Sequence, residues 1–431
     1  MKNNITRSRL LALYQTAVTT AHPSTCLPAH LPAVPNDGRI IVIGAGKANA
    51  AMAIAAEKFY AAAIGGDRVG GFVTTRHGFK LPANRIEIIE AAHPVPDQNS
   101  IDGASRAIDA AKSANSSDLV LVLLSGGASA LWCQPVAGVS FAAKQALTKQ
   151  LLRAGAPIGE MNVVRKHLSR IKGGKLAAAA FPARLLTLAI SDVPGDEPTS
   201  IGSGPTVADP TTLADARAVF ARWGIVPSPE IASALNNCAN ETIKPGDEVL
   251  RNSDFQIVAA PKASLDAAAQ QARALGYEIE FLGDSLEGEA REVGYAHAQL
   301  AIEAKRQGRR VAILSGGEFT VTVTGNGMGG PNQEYALALT MGLAGAPGIS
   351  ALAADTDGID GGGGNADDPA GAFVFPDTLL RASALNLNAA TFLANNDSSG
   401  YFAALGDLVR VGPTQTNVND FRIILIDPIV A

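Results

Sequence analysis

Cysteine is scarce in this chain. Cys26, Cys133 and Cys238 are the only three in 431 residues, far apart and without metal-ligand spacing. An odd, scattered set of this kind argues against a disulfide framework or a zinc site, and the expected compartment is reducing, the cytoplasm. Long apolar runs are missing as well. Leu119 to Leu124 is strand-length, far short of the roughly 20 residues a bilayer-crossing helix needs, so no membrane segment is expected. Near the N-terminus, Leu10, Leu11, Leu13 and Val18 recur at helical spacing among polar residues, the pattern of a surface helix rather than of a signal-peptide core. Nor is there an excess of positive charge. Lys and Arg number 35 against 40 Asp and Glu, a net charge of -5, which gives no broad footprint for nucleic acid or anionic lipid and leaves a small molecule as the expected partner.

Apolar material is plentiful: 47% of residues are hydrophobic and 17% charged, a composition that folds. The length exceeds one ordinary core and predicts two domains. β-Branched runs repeatedly empty into Gly, Ser or Asp and are followed by Ala-rich helical stretches. Ile40 to Ile43, Leu119 to Leu124, Leu185 to Ile190 and Val311 to Leu314 are examples. The expected class is α/β, with two Rossmann-like α/β domains and an interdomain cleft. Turn residues Asn236, Asn237, Pro245 and Gly246 precede a fresh strand-helix alternation near Phe255. They place the boundary between an N-terminal domain, 1–240, and a C-terminal domain, 241–431.

Ligands of open parallel sheets bind outside the carboxyl ends of the strands, so the loops there are the candidates. Gly44-Ala45-Gly46-Lys47 follows one strand and opens a helix, where backbone amides and a lysine charge suit an anion. It is not a Walker A loop, and Asn49 stands where a dinucleotide fingerprint has its third glycine. The following strand ends at Thr74 and Thr75, without a ribose-binding carboxylate. Ser125-Gly126-Gly127-Ala128-Ser129 offers paired glycines and two hydroxyls, and Ser315-Gly316-Gly317-Glu318 echoes it. Asp192, at the mouth of its strand, suits a general base or a water-bridged Mg²⁺ ligand. Arg165, His167 and Ser169 alternate by two in a basic segment, so an extended loop would aim all three one way, with His167 either a base or an orienting group. Gly325 to Glu334 includes Gly329, Gly330 and Asn332 and reads as a phosphate or base-binding loop. Asp355-Thr356-Asp357 ends a strand and suits Mg²⁺ bridged to phosphate. Taken singly, each glycine loop is a weak signal, with a plain turn as its alternative, and the basic segment from Asn162 is as compatible with a solvated helical face.

Together these segments resemble one family over nearly the whole chain: the glycerate 2-kinases whose C-terminal domain is called MOFRL, some of which carry the older label hydroxypyruvate reductase. The similarity rests on Gly44 to Lys47, Ser125 to Ser129, Asn162 to Gly174, Ser191 to Asp196, Gly202 to Pro205, Pro331 to Glu334 and Asp355 to Gly361, in that order. The resemblance implies ATP and Mg²⁺ as cofactors and D-glycerate as substrate, phosphorylated at its 2-hydroxyl. It puts the active-site lysine at Lys47. Arg165 would pair with the substrate carboxylate and Asp192 would orient or deprotonate the hydroxyl. Asp192, Asp355 and Asp357 are the metal candidates. Met328 and Pro331 stand where relatives often carry a basic residue. A homodimer is the one protein partner considered. The rivals are an NAD(P)H-dependent hydroxypyruvate reductase and a non-catalytic sensor of a small acid.

Overall fold

The computed structural model describes residues 2–61, 68–363 and 365–428. The chain divides into two compact units, residues 26–258 and residues 1–25 with 259–431.

The N-terminal unit is built on six strands: β1 (Ile40–Ala45), β2 (Val69–Arg76), β3 (Ile86–Ala91), β4 (Leu119–Leu124), β5 (Arg184–Ile190) and β6 (Ser253–Ala259). Their order is β3-β2-β1-β4-β5-β6, and β1 to β5 run parallel. This is the doubly wound order of dinucleotide-binding folds. Every residue of β1 and β4 is buried, as central strands of a parallel sheet covered on both faces must be. Small residues let the helices settle close. Ala104, Ala107 and Ala111 of the helix Gln98–Lys112 pack with Ile43, Val122 and Leu124. That helix starts at Asp97, whose side chain accepts from Ser100 N while the Ser100 side chain caps in return. The strand order reverses between β1 and β4, so the loops leaving these two strands flank the crevice where such sheets bind ligands.

The second unit holds β7 (Glu278–Leu286), β8 (Val311–Gly317), β9 (Ile349–Asp355), β10 (Gly371–Val374), β11 (Leu408–Val409) and β12 (Asp420–Ile426), ordered β11-β10-β9-β12-β8-β7. β7 and β8 are parallel, while the other neighbours pair antiparallel, so this sheet is mixed. The helix Lys2–Ala21 belongs here. Its Leu10, Leu13, Tyr14 and Ala17 are buried with Leu265, Ala268 and Ala272 of the helix Pro261–Ala274 and with Phe421 and Ile423 of β12.

The expected division at 240/241 is displaced at both ends. β6 is the edge strand of the first sheet, with Phe255 and Ile257 packed on that unit's core. The turn residues before it therefore close an excursion within one domain. The N-terminal helix finds its apolar cover on the far unit, a long-range choice that local turn chemistry does not report.

Candidate active site

At the end of β1 the missing side chains of Gly44 and Gly46 make room for the protein itself. A Cβ on Gly44 would lie 2.4 Å from Asn49 Nδ2, and one on Gly46 2.0 Å from Ser125 Oγ. Asn49 Nδ2 donates to Leu123 O at 2.9 Å, Ser125 Oγ donates to Asn49 Oδ1 at 2.9 Å, and Ala48 N donates to Ser125 Oγ at 3.0 Å. Asn49, the residue that breaks the dinucleotide fingerprint, is thus a buried clasp between the two switch-point loops. Gly44, Gly46 and the Ser125 hydroxyl, expected to meet a ligand, build this clasp instead.

One residue later the arrangement changes. Lys47 N donates to Gly126 O at 2.8 Å, and among the described residues neither the Gly126 nor the Gly127 amide donates to a protein acceptor. Gly127 has φ +84°, and a Cβ there would meet the His93 ring at 2.9 Å and Lys47 Cγ at 3.5 Å. Two amides that donate to no protein acceptor among the described residues thus lie beside a half-buried lysine and a half-buried histidine, a donor set chemically suited to an anion. His93 escaped the sequence reading because it follows a different strand, β3, and carries no motif of its own.

A second feature lies behind Ser129. Lys144, Arg165 and Lys172 share one electrostatic environment with Cys133, and among the described residues no aspartate or glutamate is one of the charges acting on them. Lys144 and Lys172 are 7% and 2% exposed, and Arg165 is half-buried. Burial and then the charge of Lys144 push the Lys172 ammonium down to about 7, and burial lowers Lys144 and Arg165 too. Lys172 Nζ donates to Ser129 O at 2.9 Å and Gly202 O at 3.4 Å. Ser129 Oγ shares a 2.6 Å hydrogen bond with Ser203 Oγ, and Ser203 holds the left-handed conformation, φ +63°. Strain of this kind concentrates at ligand sites. Lys144 and Ser203 were not foreseen. A signal for Lys144 was present: it falls in the buried stripe of the helix Phe141–Ala154 with Leu147 and Leu151, where a charge needs a reason.

His167 does not belong to this site. Residues 158–167 form a helix, not an extended loop, so Arg165 and His167 point about 200° apart. His167 is fully buried, with Nδ1 2.8 Å from Val163 O and Nε2 2.8 Å from Glu241 Oε1. Both ring nitrogens are engaged, and its role is to tie the helix to Glu241. Asp192 stands half-buried just beyond β5, within the same set of carboxyl-end loops as Lys47 and Ser129.

In the C-terminal unit the predicted loop residues are mostly engaged with one another. The helix Pro331–Leu343 begins at the motif, and Asp360 accepts from the backbone N of Asn332 at 3.0 Å and of Gln333 at 2.9 Å. Asn332 Nδ2 also donates to Asp420 at 2.6 Å, and Glu334 pairs with Arg291 at 2.7 Å. Gly330 and Gly329 allow close approach to Asp360 O and Ser398 Oγ, each about a bond's reach from a would-be Cβ at 2.2 Å. Gly329, Gly330 and the amide nitrogen of Asn332 therefore lock loop to helix, while Asn332 Oδ1 is buried without a partner among the described residues. Ser315, Gly316 and Gly317 are buried residues of β8 rather than a loop, and the carbonyls of Gly316 and Gly317 accept from Arg422 at 3.0 and 3.1 Å. Asp355 and Asp357 do lie together at the end of β9: Asp357 N donates to Asp355 Oδ1 at 2.8 Å, and Asp357 Oδ1 accepts from Ile359 N. Asp355 is half-buried and Asp357 buried. Among the described residues no three His, Cys, Asp or Glu side chains gather into a metal cage.

A family model described as a domain of unknown function (DUF4147) matches residues 9–236, and one described as the MOFRL family matches 311–420. A D-glycerate 2-kinase of Thermotoga maritima is 38% identical over 96% of this chain and 97% of its own. A relative from Agrobacterium vitis, 49% identical over 97% of this chain and 94% of its own, carries the provisional name hydroxypyruvate reductase. The crystal structure of a Thermotoga maritima glycerate kinase (EC 2.7.1.31) superposes with a TM-score of 0.87 at 36% identity, covering 98% of this chain and 100% of that one. With both halves of the chain matched and the site loops in their order, the chain belongs to the family of glycerate 2-kinases with a C-terminal MOFRL domain.

Proposed function

We propose that this protein transfers the γ-phosphoryl group of ATP to the 2-hydroxyl of D-glycerate, giving 2-phospho-D-glycerate. The observation that carries the reading is the cluster of Lys144, Arg165 and Lys172 behind Ser129, on which no carboxylate acts among the described residues, together with the open amides of Gly126 and Gly127 in the same strand-end loop. Buried cations that the protein leaves unmatched are built for an anionic ligand. Both substrates are anions.

Phosphoryl transfer is mainly positioning and charge neutralisation. Lys47 and the two glycine amides bind the phosphoryl oxygens, where donors aimed at developing charge act most strongly. Arg165 holds the glycerate carboxylate as a fork. Asp192 accepts the proton of the 2-hydroxyl as it attacks. Mg²⁺ bound to ATP keeps waters and takes one or two protein carboxylates, so no three-residue cage is required. Asp355, half-buried beside Asp357, fits that demand and would hold the ion, which would neutralise phosphate charge. Asp192 serves the hydroxyl in this reading. A cytoplasmic location and a homodimer complete the proposal, the latter checked by sedimentation.

The Agrobacterium vitis name keeps a reductase in view. Against it, Asn49 and Ser125 fill the space above Gly44 and Gly46 that a pyrophosphate would need, and β2 ends in Thr74, Thr75 and Arg76. One assay pair separates the readings: ADP release with D-glycerate, and loss of NADH or NADPH absorbance with hydroxypyruvate. ADP release alone is expected. Nicotinamide oxidation without ADP release would overturn the proposal, and ligand-induced thermal stabilisation without either would point to the sensor.

A further inference from the structure

The cluster behind Ser129 can take up more positive charge than D-glycerate can neutralise. The substrate brings one negative charge, its carboxylate, while Lys144, Arg165 and Lys172 offer three basic groups, and the two buried lysines, whose protons burial makes easier to lose, regain full charge when an anion is bound beside them. Elsewhere in the same unit a buried lysine is matched internally: Lys166 sits 3.3 Å from Asp209. The lack of a counter-charge is therefore particular to this place. The surrounding atoms do not supply one either. Lys144 Nζ reaches Leu168 O at 3.3 Å, and Lys172 Nζ reaches the carbonyls of Ser129 and Gly202, all neutral acceptors.

A phosphate monoester carries about 1.5 to 2 negative charges near neutrality and three strong acceptor oxygens. A three-carbon acid with both a carboxylate and a phosphate thus brings about the charge the cluster lacks. The hydroxyl pair Ser129 and Ser203 adds a donor of the right kind. With one proton spent in the 2.6 Å bond between them, the other remains for a ligand oxygen.

We infer that Lys144, Arg165 and Lys172 form a site for a phosphorylated three-carbon hydroxy acid, so that the enzyme holds its product more tightly than its substrate. This rests on the glycerate kinase reading above. Coulomb energy scales with the product of the charges, so removing one cation weakens a ligand with carboxylate and phosphate more than one with a carboxylate alone.

The test is calorimetric titration of the full chain with 2-phospho-D-glycerate, D-glycerate and ADP, beside the ADP-release assay. Wild type is expected to bind 2-phospho-D-glycerate at least about tenfold more tightly than D-glycerate, and Lys144→Met and Lys172→Met each to cut that preference by about tenfold, the value of one charge-assisted hydrogen bond. Lys172→Arg should retain most of it. Melting curves identify which variants fold, and either methionine variant suffices. Equal affinity for the two acids in wild type would overturn the inference. So would a folded methionine variant that keeps the preference, or one that loses ADP binding while binding 2-phospho-D-glycerate normally, since the charge would then serve the nucleotide. If ADP is released with D-glycerate and the preference is missing, the inference alone fails. If the preference and its loss are seen without any ADP release, the kinase reading fails and the anion site stands.

Discussion

The two units bury charge in opposite ways. In the C-terminal unit Arg422 pairs with Asp420 and stacks 3.5 Å over the Phe319 ring, Glu334 pairs with Arg291, and Asp360 sits on the amino end of a helix. Each buried charge there has a partner, and the result is a locked loop. In the N-terminal unit Lys144 and Lys172 are as deeply buried, yet their electrostatic neighbours are Arg165, Cys133 and each other. Motif residues are abundant in both places. What separates the two is whether the counter-charge is already in the fold.

The contrast can be broken most directly through stability. Arg422→Met strands Asp420 as an uncompensated buried carboxylate and should cost about 3–5 kcal/mol in chemical denaturation. Lys144→Met strands nothing and should leave the unliganded protein as stable or more so. Equal losses in the two variants would dissolve the distinction. Through activity, Lys47→Ala should lower turnover in the ADP-release assay by about 10²–10³-fold while the melting curve stays close to wild type. Unimpaired turnover would remove Lys47 from the site. Next in size, His167→Phe breaks two buried hydrogen bonds and should cost about 1–3 kcal/mol of stability. The KM values for ATP and D-glycerate should hold, and a selective rise in one of them would return His167 to the binding site.

The smallest effect is a slope with pH. Folded, Lys172 titrates at about 7, against 10.5 ordinarily, because burial and the charges of Lys144 and Arg165 outweigh the opposing influence of Cys133. Between these values the unfolded chain binds the proton that the folded one has lost, so stability rises with pH across that window. Below about 7 both states are protonated and the penalty is fully present. The melting temperature of the unliganded protein should therefore climb between pH 7 and 10 relative to Lys172→Met, in which this component of the slope is gone.

Much of the architecture was legible. β-Branched runs ending in small residues mark strands of a covered parallel sheet, and β1, β4, β5 and β8 stand where Ile40, Leu119, Leu185 and Val311 begin those runs. The loops that carry Lys47, Ser129 and Asp192 were found because position at a strand's carboxyl end is itself a local signal. The mixed pairing of the second sheet was not visible, since strand direction depends on which distant strand lies alongside. The expectation for His167 failed on period: spacing by two means a shared face only in extended chain, and the segment is a helix.

By itself the sequence determined most of the strands, the family and the strand-end loops that hold Lys47 and Asp192, because periodicity, turn residues and motif order are properties of neighbours along the chain. Tertiary structure alone decided that Gly44, Gly46 and Ser125 serve a clasp with Asn49, that His167 and the Asn332 amide nitrogen are spent internally, and that Lys144 joins Arg165 and Lys172. Hydrogen-bond partners and counter-charges come from residues far apart in the chain. Whether a polar side chain is satisfied or waiting for a ligand is settled only when the fold brings those partners near or leaves them out.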